Sequence, residues 1–176
     1  GQKTISSFNF QEYEKLDFLK YEGPTDPTIT GSFGNILTYK NLKLNVFVTY
    51  SFGNVIRLDP VFSNAYSDLD AMPKEFKNRW MKAGDENVTN IPTIVSTRMN
   101  QQYAYLNMAY NAYNYSDVRI ADGGFIRLKE ISLSYDLPAK VINFFRLNKL
   151  QLKLQATNLC LLYADSKLNG QDPEFF

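Results

Sequence analysis

From Lys149 to Thr157 every second residue is apolar. Leu150, Leu152, Leu154 and Ala156 alternate with Lys149, Gln151, Lys153, Gln155 and Thr157. Side chains on a β-strand point to opposite faces in turn, so this stretch has one apolar face and one polar face. A second run, Ile126 to Tyr135, carries the same signal with a phase break. Ile126 and Leu128 share one phase; Ile131, Leu133 and Tyr135 share the other. A bulge near Lys129–Glu130 restores a single face, because one extra residue flips the alternation. Between the two runs, Leu137–Asn148 opens on Leu137-Pro138 and reads as a short helix. Gly124–Asn158 is therefore a strand–helix–strand unit on which the rest of the chain is organised.

The preceding segments extend the β pattern. Leu42–Phe52 is the cleanest strand: Leu42, Leu44, Val46, Val48, Tyr50 and Phe52 share a face, and only Phe47 interrupts the polar one. Thr30–Tyr39 is a weaker strand, with Phe33, Leu37 and Tyr39 in phase, Gly31 and Gly34 as weak points, and Asn35 a polar misfit. Lys40-Asn41 between them is the size of a hairpin turn. Gly1–Pro27 reads as loop with strand edges, and everything after Leu161 reads as loop again.

Gly53–Gly123 is different, a long link with no clear strands. Pro73 opens a short helix over Lys74–Lys82, with Phe76, Trp80 and Met81 at helical spacing as an apolar cluster and Gly84 as its stop. Ile91-Pro92-Thr93 reads as extended. Tyr103, Tyr105, Tyr110, Tyr113 and Tyr115 then alternate with Asn107, Asn111 and Asn114. A link of this length is unusual in a compact soluble domain but ordinary as an external loop of a transmembrane barrel. Short and long links alternate, as in an up-and-down barrel. That parity puts Tyr39–Leu42 and Leu137–Asn148 on the periplasmic side. The long links, and Cys160 near a strand end, fall on the outer side.

Composition narrows the chemistry. The chain of 176 residues is the size of one domain, and 44% hydrophobic with 21% charged residues is not a disordered composition. It has no His, which removes the commonest general base and metal ligand. A lone Cys160 forms no internal disulfide. No nucleophile–base pair, phosphate loop or metal-spaced cluster stands out, so no catalytic residue, cofactor or metal is expected. Asp172 and Glu174 read as solvated or capping acids. The net charge of +1, without a basic stripe, argues against nucleic acid. Neither a signal peptide nor an apolar run of about 18 residues occurs, and β-barrel strands need no such run. Aromatics reach 15%, which suits a wide interface or a membrane–water boundary. The residues by themselves leave three readings open: a membrane barrel, a soluble carbohydrate-binding β-sandwich with the Tyr-rich stretch as its sugar face, and a β-rich hydrolase working with two carboxylates.

Several segments resemble motifs of the SusC/RagA family of TonB-dependent outer-membrane transporters. Asp122-Gly123-Gly124-Phe125-Ile126-Arg127-Leu128-Lys129, followed by Ser132-Leu133-Ser134-Tyr135-Asp136-Leu137-Pro138, resembles the family's GSFIRLKN(I/V)SLSYxLP signature. Gly31–Phe52 resembles its GGxxNTxxYKNxxLxxxxxY hairpin, and Phe76–Pro92 its RWxxxGDxxxxP loop. Thr157-Asn158-Leu159 and Gly170-Gln171-Asp172-Pro173-Glu174 resemble its xxNL…GxDPE ending. The resemblance runs from about Tyr21 onward. It implies an all-β fold: part of a large antiparallel barrel of about 22 strands with a plug in its lumen. It also implies an outer-membrane location in a Gram-negative bacterium, glycan or oligopeptide import powered by TonB, and a SusD-like lipoprotein lid. On this reading residues 1–176 are a C-terminal barrel portion rather than a closed barrel. The plug, the TonB-contacting segment and the last strand lie outside it, and 53–123 is its long extracellular loop. The candidate lid- or cargo-facing residues are Trp80, Tyr103, Tyr105, Tyr110, Tyr113 and Tyr115. Arg127 and Lys129 are expected to face the lumen.

Overall fold

A computed structural model describes residues 18–61, 73–93, 96–103, 106–144 and 146–174. The chain divides into two units. The first comprises Pro24–Val55 and Asp122–Asp165 and is a four-stranded antiparallel sheet. Its strands are β1 (Ile29–Tyr39), β2 (Leu42–Phe52), β5 (Phe125–Asp136) and β6 (Gln151–Ala164), in that spatial order. β1 and β2 pair over their whole length across a two-residue turn in which Lys40 takes φ 53°. The short helix α3 (Ala139–Phe144) joins β5 to β6. It begins just after Pro138, as the Leu137-Pro138 signal predicts. The sheet is open; among the described residues no closed barrel is formed and no helix is long and apolar enough to cross a membrane.

The phase break in β5 is a bulge. Phe47 pairs with Glu130 and Val48 with Leu128, which leaves Lys129 without a partner position on β2. A second irregularity lies across from it. Glu130 pairs with Thr157 and Leu128 with Cys160, so Asn158 and Leu159 together oppose Lys129. Asn158 sits at φ 54°, a conformation Asn tolerates better than most residues. β6 then continues to Ala164, so the loop expected after Leu161 is strand, and Cys160 lies inside β6 rather than near its end. Bulges hid this, because each resets the alternation. Gly31, expected to weaken β1, lies under the Tyr50 ring: a Cβ there would meet the Tyr50 hydroxyl at 2.4 Å.

The other unit comprises Gly1–Gly23, Ile56–Ala121 and Ser166–Phe176. Here the link expected to lack strands contains two short ones, β3 (Val55–Arg57) and β4 (Ile120–Asp122), paired as a ribbon. It also holds two helices that the pattern does not announce, α1 (Thr97–Gln102) and α2 (Leu106–Asn114). Ser96 caps α1, its Oγ accepting from the Met99 amide at 3.3 Å. The helix expected over Lys74–Lys82 is a 3-10 turn, Lys74–Asn78, which stops where Arg79 turns extended. The next residues are held otherwise. Asp85 Oδ2 accepts from the amides of Met81 and Lys82, both at 3.1 Å. Gly84 starts the following turn, at φ 101°, instead of ending a helix. The expected cluster of Phe76, Trp80 and Met81 therefore does not form: Phe76 is buried, whereas Trp80 and Met81 are exposed. The core of this unit is Ile56, Leu58, Val61, Phe76, Tyr110, Ala121 and Leu168.

Candidate functional site

Directly paired residues share a face, so the register defines the sheet's two surfaces. On one lie the rows Tyr39–Leu42–Tyr135–Leu152, Leu37–Leu44–Leu133–Leu154, Asn35–Val46–Ile131–Ala156, Phe33–Val48–Leu128–Cys160 and Gly31–Tyr50–Ile126–Tyr163. Only Asn35 brings a polar side-chain amide to this surface, and it is open: Phe33 is 64% exposed and Leu154 75%. The opposite surface holds Lys43, Asn45, Thr49, Ser51, Arg127, Glu130, Ser132, Ser134, Gln151, Lys153 and Gln155, with Ile36, Phe47, Phe125 and Leu161 as large apolar exceptions. It is covered along the middle strands, where Ser51 is 7% exposed, Arg127 4% and Ser132 5%, whereas Lys43, Gln151, Lys153 and Gln155 are exposed. Three side-chain hydrogen bonds tie this face together across the strands. Asn45 Nδ2 donates to Glu130 Oε1 at 3.1 Å, and Gln151 Nε2 to Asp136 Oδ1 at 2.9 Å. Arg127 Nη1 donates to Asn158 Oδ1 at 3.0 Å. Arg127 thus occupies the polar face expected of it, while Lys129 sits in the bulge.

The apolar face is graded along the strands. Tyr39 and Tyr135 stand at one end. Tyr50, Phe52 and Tyr163 stand at the other, with the Tyr50 and Phe52 rings 6.1 Å apart and the Phe52 and Tyr163 rings 6.0 Å apart. Aliphatic rows fill the middle. The 11 residues of β2, at about 3.4 Å each and a tilt of about 40°, rise about 29 Å, enough to span the apolar band of about 25 Å of an outer-membrane barrel.

In the second unit the central group is Arg119, buried in a shell of acceptors. Its Nη2 lies 2.7 Å from Glu75 Oε1, it also donates to the Asp59 carbonyl, and its guanidinium sits 5.7 Å from the Tyr113 ring centroid. Burial pulls its proton affinity down, but the hydrogen bond and charge of Glu75 more than offset this and hold it above the usual arginine value. Burial raises the Tyr110 and Tyr113 hydroxyls above the ordinary tyrosine value, and for Tyr113 the nearby Arg119 opposes the rise.

The residues expected to face a lid or cargo do not form one surface. Tyr110 is buried, its hydroxyl donating to the Thr93 carbonyl. Tyr113 is half-buried against Arg119. Tyr115 is 68% exposed, with the Arg57 guanidinium 5.2 Å from its ring centroid. Trp80 and Tyr103 are exposed; Trp80 Nε1 donates to the Lys82 carbonyl and Tyr103 accepts from Gln102 Nε2 at 3.4 Å. Tyr105 lies outside the described residues. Among the described residues no three His, Cys, Asp or Glu side chains gather as metal ligands.

No family model matches the chain. It is 27% identical over 155 residues to TonB-dependent receptor P3 of Formosa agariphila, a match that covers 88% of this chain and 14% of that protein. Among solved structures it superposes on a chain of the RagAB peptide importer in the open-open state with a TM-score of 0.58 and 21% identity. It also superposes on a chain of the RagAB peptide transporter, with the same TM-score and 22% identity. Each match covers 88% of this chain and 15% of the other. These findings support a SusC/RagA-type fragment. The chain thus spans about one seventh of the length of these relatives.

The motif residues hold backbone in place. Arg127 of the signature is tied to Asn158 of the TNL segment across the double bulge. Asp85 of the GD pair gathers the Met81 and Lys82 amides. Gln171 accepts from the Asp59 amide at 2.8 Å and donates to the Arg57 carbonyl at 3.1 Å; Pro173 is buried, and Asp172 Oδ1 accepts from the Glu174 amide at 3.0 Å. The Asp172 carboxylate is therefore a turn-former.

Proposed function

We propose that this chain is a wall segment, with one external loop unit, of a TonB-dependent transporter in the outer membrane of a Gram-negative bacterium. One observation carries the reading: Phe33, Leu37 and Leu154 stand exposed on an apolar face bounded by aromatic rows, while the polar face buries Ser51, Arg127 and Ser132 along the two middle strands. In water such a sheet is inside out, since monomeric soluble proteins rarely expose a contiguous apolar patch beyond a few hundred Å². In a bilayer it is the expected arrangement, with lipid outside and a polar lumen inside. The free edges of β1 and β6 then pair with the remaining strands, because lipid offers nothing to their N–H and C=O groups.

The Lys40–Asn41 turn and the α3 link lie on the periplasmic side, and the loop unit 56–121 on the extracellular side. The plug and the TonB contact belong to other parts of the transporter, which is not an enzyme. Its cargo is a glycan or an oligopeptide, delivered with a SusD-like lipoprotein; the peptide importers among the structural neighbours support the oligopeptide. Open sheet edges and an uncovered apolar face speak against the soluble sandwich.

The test is a depth series of arginines in the full-length transporter. Leu154→Arg, one row from the middle of the band, should cost about 2 kcal/mol or more of assembly stability, and Leu152→Arg, in the aromatic row, about 1 kcal/mol or less. Gln155→Arg, on the lumen face, should be tolerated. Folded barrel is read by heat-modifiable migration of outer-membrane fractions. Equal damage at Leu154 and Gln155 would refute the membrane assignment.

A further inference from the structure

Where Tyr39 and Tyr135 close the apolar face, the connections are basic. The hairpin turn carries Lys40. The link Leu137–Leu150 carries Lys140, Arg146 and Lys149 and contains no Asp or Glu. All four cations are exposed. The adjoining acid, Asp136, is already engaged by Lys43 Nζ at 3.6 Å and Gln151 Nε2 at 2.9 Å. Lys40 Nζ lies 5.4 Å from the Tyr39 ring centroid, so this cation stands at the margin of the aromatic row. Apolar tips accompany the charges: Phe144, at the end of α3, is 81% exposed, and Leu147 is exposed as well. The other end of the same sheet is acidic. Asp122 and Asp165 stand there, Asp165 Oδ2 accepting from the Asp122 amide at 3.1 Å, and the segments Gly53–Val55 and Asp122–Gly124 contain no cation. Charge is therefore polarised along the strands.

We infer that this basic rim is a docking surface for anionic phospholipid headgroups in the periplasmic leaflet. The inference rests on the membrane reading above. An aromatic row marks the depth of the headgroups, and the cations stand at or just beyond it. Long basic side chains lay their methylenes along apolar surface and carry their charge to the polar boundary. Exposed aromatic and leucine side chains beside Lys and Arg are the composition of segments that lie in a bilayer interface. The rim also continues a face that already requires lipid. Anionic headgroups complement its charge, and this charge attraction acts within about a Debye length.

The full-length transporter, reconstituted in nanodiscs of phosphatidylethanolamine containing a fixed fraction of phosphatidylglycerol, provides the test. Retained lipid is counted by native mass spectrometry, and spin-labelled analogues of both lipids report relative association. The wild type should hold phosphatidylglycerol at least about fivefold over its bulk share, and the preference should fall as salt rises. The K140Q/R146Q/K149Q variant should lose it, K140R/R146K/K149R should keep it, and K153Q, on the polar face, should leave it unchanged. A wild type without preference overturns the inference, as does a preference that survives the glutamine variant or loss of an acidic protein partner in place of lipid. If the glutamine variant fails to assemble, the wild-type preference, its salt dependence and the charge-conserving variant decide. A wild type that never enters a bilayer overturns the transporter reading; one that enters without selecting phosphatidylglycerol overturns only the lipid site.

Discussion

The two units of this chain obey opposite burial rules. In the loop unit Val61, Ile56, Leu58 and Phe76 are inside, and the charged residues are outside except for Arg119, which brings its own partner. In the sheet unit Leu37 and Leu154 are outside, and Arg127 and Ser132 are covered. The same kinds of residues are used in both. What differs is the solvent each unit is made for. Burial of apolar surface stabilises a unit only when the alternative is water. On the membrane reading proposed above, the loop unit has a core because it faces water, and the sheet has none of its own because lipid covers its apolar face.

The largest expected effect sets the units directly against each other. Val61→Asp places an unpaired charge at a fully buried position in the loop unit, which costs about 3–5 kcal/mol. That loss is independent of lipid. Limited proteolysis of the full-length transporter should cut within 73–93 both in detergent and in bilayers. Leu154→Asp should leave the loop unit protected and impair only insertion. If Val61→Asp leaves the protease pattern unchanged, the loop unit has no core of its own and the contrast fails.

Next in size is the joint between β5 and β6. Asn158 holds a left-handed backbone conformation and accepts from buried Arg127. Asn158→Ala removes the acceptor and adds backbone strain, for a loss of about 2–3 kcal/mol. Asn158→Gly keeps the conformation and loses only the hydrogen bond, so it should cost less. Thermal melts of the assembled barrel would rank the two, and an equal cost would mean that the bulge contributes nothing beyond the side-chain contact.

That joint also marks where sequence reading succeeds and where it stops. The β5 bulge was legible because Ile126–Leu128 and Ile131–Tyr135 keep strict alternation on either side of it. The β6 bulge was not, because Leu159, Leu161 and Leu162 after it are apolar in both phases, and the alternation that marks a strand is lost. Alternation also says only that a strand has two faces. Which face is covered depends on what packs against the sheet, and alternation does not encode that. α1 and α2 were invisible for another reason: Tyr and Asn are modest helix formers, and the side chains that fix α2, Tyr110 and Tyr113, find their partners at Thr93 and Arg119. Of the candidate site, Trp80, Tyr103 and Tyr115 are exposed, Trp80 against the expectation of an apolar cluster with Phe76 and Met81, whereas Tyr110 belongs to the core. Local sequence marks Tyr as interface-prone without telling which hydroxyl finds a buried carbonyl.

A smaller effect separates the units by pH. Burial raises the Tyr110 and Tyr113 hydroxyls above 10.0. A group whose folded proton affinity exceeds its unfolded value contributes stability that is intact below the unfolded value and is lost as pH rises through the folded one. The loop unit should therefore be insensitive to pH between 6 and 9 on account of these tyrosines and loosen above about 10. Arg119, raised as well, titrates beyond that window. Tyr110→Phe should cost about 1 kcal/mol at neutral pH through the lost bond to Thr93 and should flatten the alkaline decline. An unchanged alkaline slope would place the titration elsewhere.

The smallest effect on folding is expected at Tyr115, and it tests whether the loop unit's exposed aromatics have a use. Tyr115 is mostly in water, and its one recorded ring partner is Arg57. Arg57 is held independently, donating to the carbonyls of Asn114 at 3.1 Å and Ser116 at 3.4 Å. Tyr115→Ala therefore forfeits about 0.5–1 kcal/mol of exposed cation–π contact and little else. A tyrosine ring whose neighbour is already ordered is well suited to a partner surface, because few rotamers are frozen on binding. If the loop unit faces the lipoprotein lid, Tyr115→Ala should weaken lid association by about 1 kcal/mol or more, several-fold in affinity, while the melt of the assembled transporter moves little. Tyr110→Phe should do the reverse, lowering stability and leaving lid binding intact. Lid affinity unchanged by Tyr115→Ala would remove this residue from the interface and leave Trp80 and Tyr103 as the exposed aromatics still to be tried.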